Sequence, residues 1–152
     1  MNRAILILIL SVLTAKAGLS KLEAISMIET GNNDRAVGMA GEVSRYQIMP
    51  AVWRCYTSSR AYQDIRISAQ VAEIHLASLE ASFRKNAGRE PTDFDRYVLW
   101  NAGPVYYARL GYSASRVHSI IGERASRFVN LRQMKQEAKS ASIMAMAELP
   151  RL

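Results

Sequence analysis

Apolar side chains recur three and four residues apart along most of this chain, a spacing that buries them on one face only if the backbone is helical. Ser20 and Glu23 form a capping-box signature ahead of Leu22, Ile25 and Ile28, and Gly31 follows as a stop. Pro50 suits the first turn of a short helix carrying Val52, Trp53 and Tyr56. Asp64 caps a long helix to about Asn86, with Ala72, Leu76, Leu79 and Phe83 inward and Gly88 after it. Thr92 opens the next, where Phe94, Tyr97, Val98 and Asn101 share a face until Asn101-Ala102-Gly103-Pro104 turns the chain. Ser113 or Ser115 starts a last stretch through Val117, Ile121, Phe128 and Leu131. Residues 31–46 are rich in Gly, Asn and Asp and carry no period, so they read as an irregular loop or short hairpin. The expectation is a mainly α domain with a loop-rich insertion near its start.

At 152 residues the chain is large enough to bury a core without disulfide staples, and no repeat, heptad seam or low-complexity linker divides it. Its one cysteine, Cys55, excludes an internal disulfide framework and reads as a small buried hydrophobe. Two histidines cannot build a Cys/His zinc cluster. His75 is expected to flank the core and His118 to be exposed. Neither a metal nor a cofactor is called for.

Residues 1–17 have the form of a signal peptide: Arg3, an apolar run from Ala4 to Leu13, and an Ala15-Lys16-Ala17 exit. The run is shorter than the roughly 20 residues a spanning helix needs, and no cysteine directly follows the Ala15-Lys16-Ala17 exit, so no stable membrane anchor is expected. The expected organisation is a signal peptide at 1–17, a domain at 18–140 and a disordered tail at 141–152, exported to the periplasm or beyond. Without Arg3 and Lys16 the net charge falls from +7 to +5. A basic exported protein meets anionic envelope polymers more often than nucleic acid, and the chain has no clustered Lys/Arg stripe.

Three places could carry chemistry. Glu29 lies four residues after Ile25, at the edge of an apolar helix face and just before Gly31. There a carboxyl would be partly desolvated, which raises its pKa and suits a general acid for glycosidic cleavage. An ordinary exposed Glu at a helix end fits the same position. The stretch from Gly41 to Pro50 contains Glu42, Ser44, Arg45, Tyr46 and Gln47, polar and aromatic groups that could line a groove or sit in a surface loop. Around the turn, Tyr97 and Trp100 could stack on sugar rings and Asn101 could hold an N-acetyl group; core aromatics and a helix cap would look the same.

Taken in order, Glu29-Thr30-Gly31, Ser44-Arg45-Tyr46-Gln47-Ile48-Met49-Pro50 and Trp100-Asn101-Ala102-Gly103-Pro104 resemble the lytic transglycosylase (SLT-type, lysozyme-like) domain. That family shows an E-S-G opening, a G-L-M-Q-(I/L)-M-P block and an A-Y-N-A-G-P turn, with a long helix between the last two. The resemblance spans about Leu19 to Leu131. It implies a small lysozyme-like helical fold and a cleft between the Glu29 helix and the Asn101 turn. Glu29 would be the single acid/base, protonating the oxygen between N-acetylmuramic acid and N-acetylglucosamine and then taking the O6 proton to leave a 1,6-anhydromuramoyl end. Ser44, Tyr46, Gln47, Tyr97, Trp100 and Asn101 would bind the glycan or hold Glu29. The implied partner is the peptidoglycan strand, met by a monomer working alone or inside an envelope or secretion complex.

The chain also departs from the pattern. Ser44 and Arg45 replace Gly and Leu, which predicts a more polar groove floor carrying a cation. Trp100 replaces the family's tyrosine and has no hydroxyl, so Tyr97, one helical turn away, would have to supply one. Glu42 has no counterpart; it reads either as a solvated loop residue or as a second carboxylate that would make the protein a muramidase. A weakly active glycan-binding or secretion-accessory protein is the remaining alternative.

Overall fold

The computed structural model describes the backbone of residues 19–147 and the side chains of residues 19–134. The expected signal peptide lies outside the described residues. The elements in chain order are α1 (Lys21–Thr30), α2 (Pro50–Trp53), α3 (Ile65–Ala87), α4 (Asp93–Arg109), a short 3-10 turn (Ala114–Arg116) and α5 (Ser119–Ala147). The fold is mainly helical, as the apolar period requires.

The helix ends follow from local chemistry. Ser20 and Glu23 cap α1 reciprocally, and Gly31 closes it in the left-handed conformation at φ 64°. Asp64 accepts two backbone N–H groups at the start of α3. Thr92 and Asp95 form a second capping box on α4. Within α4 the turn foreseen at residues 101–104 is a break at one residue, Gly103, whose φ of 81° and ψ of 163° only glycine adopts readily. Pro104 then restarts the helix.

α4 packs against both α3 and α5, while α1 lies against α5 and α3. Their shared core contains Ile25 of α1, Leu76 and Phe83 of α3, Tyr97, Val98 and Tyr107 of α4, and Phe128 of α5. Asp95 ties the two halves of α4 together: it accepts hydrogen bonds from Tyr107 Oη (2.6 Å), from Arg89 (2.6 and 2.9 Å) and from Thr92. The unperiodic segment forms two successive hairpin turns that share Val43, which pairs with Val37 on one side and with Ile48 on the other. Val43, Tyr46 and Ile48 pin this segment to the core.

Three expectations need correction. Ser113 and Ser115 belong to the 3-10 turn region, and extended backbone at Val117 delays the last helix to Ser119. That helix then continues through residues 141–147, expected as part of a tail, because its Ala- and Met-rich sequence favours helix even where the apolar period fades. Cys55 is exposed: the four-residue α2 buries only Trp53, and the Cys55 Sγ faces the Ala51 carbonyl at 3.4 Å.

Candidate active site

Glu29 is the penultimate residue of α1, so the stop at Gly31 fixes where its side chain leaves the helix. The Thr30 hydroxyl donates to the Arg45 carbonyl (3.0 Å) and accepts from the Asn33 N–H (3.1 Å), fastening the end of α1 to the hairpin segment. The Glu29 side chain is 7 % exposed and opens into a cleft of about 230 Å³. Gly38, Met39, Glu42 and Gln47 form one wall of this cleft, and Trp100, Asn101 and Arg124 the other.

Tyr97 Oη donates a 2.6 Å hydrogen bond to Glu29 Oε1, so the hydroxyl missing at position 100 is supplied from one helical turn earlier. Arg124 Nη1 stands 3.6 Å from Glu29 Oε2. Burial pushes the Glu29 carboxyl above the ordinary glutamate range; Tyr97, Arg124 and the Asn101 amide pull it down without cancelling that effect, and the charge of Glu42 adds to the rise. A carboxyl so placed holds its proton closer to neutral pH than a solvated one, and loses it to a basic oxygen brought alongside. Burial and the neighbouring Glu29 charge drive the Tyr97 ionisation far upward, so this hydroxyl keeps its proton and donates it in the hydrogen bond to the Glu29 carboxylate.

The cleft continues into a second chamber of about 270 Å³ that shares Glu42, Gln47, Trp100 and Asn101 with the first. Ile48, Met49, Val52, His75 and Pro104 make this half more apolar. Trp100 stands between the halves, its Nε1–H donating to the Tyr46 carbonyl (3.3 Å) and its ring 5.2 Å from that of His75. His75 is half-buried, as expected, and meets the Tyr56 hydroxyl at 3.1 Å.

Of the residues expected at the site, the structure brings Glu29, Glu42, Gln47, Trp100 and Asn101 to one cleft. Ser44 and Tyr46 are corrected to supporting positions, since both are buried, at 1 % and 5 % exposed. Ser44 takes a positive φ of 66°, which turns its side chain inward to accept from the Tyr46 N–H, while its carbonyl receives the Gln47 side-chain amide (3.1 Å). Gln47 also has positive φ, at 52°, and this second reversal aims its amide into the cleft. Tyr97 is wholly buried and reaches Glu29 rather than open groove. Arg45 is bound bidentately to Asp34 at 2.5 and 2.7 Å and lines neither chamber, so the groove's cation is not Arg45.

That cation is Arg124, which the sequence reading missed. It sits 95 positions from Glu29 on a helix without a motif, and only the packing of α5 on α1 brings it to the acid. Gly38 was also missed: a Cβ there would lie 2.2 Å from Glu42 Oε2 and 2.4 Å from Gln47 Oε1, so a side chain would displace both cleft groups. Glu42 is a wall residue rather than a fully solvated one, with Oε2 accepting from the Ala40 N–H at 3.0 Å.

Elsewhere, a groove of about 400 Å³ between α1 and α3 has its one buried carboxylate, Glu80, already held by Lys21 and Arg96 at 2.7 Å each. Among the described residues no cluster of His, Cys, Asp or Glu could hold a metal ion, and no helix is long and apolar enough to cross a membrane. Comparison of the chain with protein-family models, curated proteins and solved structures finds no significant match.

Proposed function

We propose that this chain is an exported peptidoglycan lytic transglycosylase that cleaves the β-1,4 bond between N-acetylmuramic acid and N-acetylglucosamine. The observation that carries the reading is Glu29, a buried carboxyl with raised pKa at the base of an open polar cleft, hydrogen-bonded by a tyrosine hydroxyl that keeps its proton. In this reading Glu29 gives its proton to the glycosidic oxygen, and the substrate's N-acetyl group stabilises the cation that develops at the anomeric carbon. The Glu29 carboxylate then takes the proton from the muramoyl O6 as that oxygen closes the 1,6-anhydro ring. No water is consumed and no second carboxylate is needed, which sets such substrate-assisted chemistry apart from the two-carboxylate scheme. Gln47 and Asn101 offer amides to sugar hydroxyl and N-acetyl groups, and Trp100 offers an aromatic face.

A second reading is supported by Glu42, whose carboxylate shares the cleft and is felt electrostatically by Glu29. A general base there would direct water at the anomeric carbon and make the protein a muramidase. Mass spectrometry of digested peptidoglycan, beside a Glu29→Gln control, separates the two. The expected fragments end in 1,6-anhydromuramoyl groups and disappear in the control. Reducing ends would establish hydrolysis and make Glu42 the next residue to substitute; no soluble fragments would shift the assignment to a glycan-binding or accessory role.

A further inference from the structure

The cleft holds an arginine whose function the acid chemistry leaves open. Arg124 is 40 % exposed and lines the cleft beside Glu29, while its Nη1 remains 3.6 Å from Glu29 Oε2. Charge-assisted N–H···O contacts close to about 2.7–2.9 Å when they form, so the two groups attract without a formed hydrogen bond. Arg45 closes on Asp34 at 2.5 Å, Arg89 on Asp95 at 2.6 Å and Arg96 on Glu80 at 2.7 Å, whereas Arg84 and Arg132 stand 3.4–3.8 Å from their carboxylates outside the cleft. Arg124 therefore combines a planar fork of donors, access from the cleft and a loosely held counter-ion. That combination suits an exchange of one carboxylate for another.

We propose that Arg124 is the anion-recognition residue of the cleft: a carboxylate on the bound glycan draws the Arg124 guanidinium away from Glu29, and Glu29 then takes up a proton from solvent. Binding the substrate thereby loads the acid. The groups facing Glu29 make the sign unambiguous. Tyr97 and Asn101 from α4 and Arg124 from α5 favour the charged carboxylate, while Glu42 from the hairpin segment disfavours it. Arg124 is the only cation in this set. Pairing it with another anion leaves Glu29 with its burial and with Glu42, both of which favour the proton. By linkage, a ligand that raises the acid's proton affinity binds with net proton uptake.

The ligand class is a glycan bearing a carboxylate near the bond that breaks. Bare muramic acid supplies one on its lactyl group, and a peptide-substituted strand supplies others on its stem. This inference rests on the reading of Glu29 as the acid of a peptidoglycan-cleaving enzyme, and binding measurements can fail it separately. Calorimetry at pH 8, in buffers of different ionisation enthalpy, would use three sulfur-linked and hence uncleaved tetrasaccharides: chitotetraose, peptide-free GlcNAc–MurNAc and its peptide-bearing form.

The full-length protein is expected to bind a carboxylate-bearing ligand about tenfold more tightly than chitotetraose, with proton uptake seen for that ligand alone. Tighter binding of the peptide-free form assigns the lactyl carboxylate, and tighter binding of the peptide-bearing form alone assigns the stem. Arg124→Gln should abolish both the preference and the uptake, and Arg124→Lys should restore part of each, since it returns charge without the fork. Thermal melts establish that both variants are folded. Equal binding of charged and neutral glycans, or uptake that persists in Arg124→Gln, overturns the role of Arg124 and leaves the transglycosylase reading standing. If no glycan binds, both fall.

Discussion

A carboxyl group that must deliver a proton in neutral water has to be kept from losing it beforehand, and at Glu29 burial does this while Tyr97 limits it. The 2.6 Å hydrogen bond from Tyr97 fixes one carboxyl oxygen and leaves the other toward the cleft and Arg124. Removing the hydroxyl in Tyr97→Phe should act in two ways. The carboxyl loses a donor that favoured its charged form, so its pKa rises further and the alkaline limb of the rate profile moves to higher pH. The oxygen also loses its orientation, and loss of a hydrogen bond to a charged group lowers turnover by about ten- to a hundredfold. A kcat/KM profile across pH reads both effects. A uniform loss with no movement of the limb would mean that Tyr97 only packs beside the acid.

At the level of elements, the site depends on where helices stop, and α4 shows this most directly. Its break at Gly103 presents Trp100 and Asn101 to the cleft, and the break requires a φ of 81° with ψ of 163°. A Cβ built at Gly103 meets nothing within 4 Å, so Gly103→Ala carries a torsional cost and no clash. That cost should be about 1–3 kcal/mol in urea unfolding, accompanied by a weakened KM as Asn101 shifts. Gly122 is the control, since it lies inside α5 with equally open space. Gly122→Ala should be stabilising by about 0.4–1 kcal/mol. If both changes shift stability alike, strain at residue 103 is not what shapes this end of the cleft.

The same elements explain how much was legible beforehand. Caps at Ser20, Asp64 and Thr92 and stops at Gly31 and Gly88 are local chemistry, so helix positions could be read from neighbouring residues. Glu29, Gln47 and Asn101 sit where such local signals place them. Ser44 and Tyr46 were misjudged because two non-glycine residues, Ser44 and Gln47, adopt positive φ, and each reversal changes which side chains face inward. No composition rule announces that. Arg124 depends on a contact between helices at opposite ends of the chain, and periodicity along one helix carries no record of its partner's register.

Over the whole molecule, the buried titratable groups pull stability in opposite directions with pH. Burial alone would raise Asp95, but hydrogen bonds from Arg89, Tyr107 and Thr92 outweigh it and hold the carboxyl at about 2. Its contribution is complete above the ordinary 3.8 and is lost as pH falls from there through about 2. Burial lowers His75, so the fold favours its neutral ring and loses that contribution as the ring gains a proton below 6.5. Glu29 has the reverse sign. Its folded pKa lies above the ordinary 4.5, so across the interval between the two values the folded chain binds more protons than the unfolded one. Stability therefore falls as pH rises through that interval and stays lower beyond it. The group that makes the site chemically useful costs the fold stability at neutral pH, a trade expected where activity needs a desolvated charge. Glu29→Gln keeps the shape and an acceptor for Tyr97 while removing the ionisation. Its melting temperature should match that of the parent protein below about pH 4 and exceed it by a growing margin as pH rises, levelling off once Glu29 is fully ionised. Comparing the two proteins at each pH cancels the contributions of Asp95 and His75, which both retain. A margin that is constant across pH would assign the gain to packing of the amide. No margin at any pH would mean that Glu29 carries its charge without cost, and it would then lack the proton that the proposed chemistry requires.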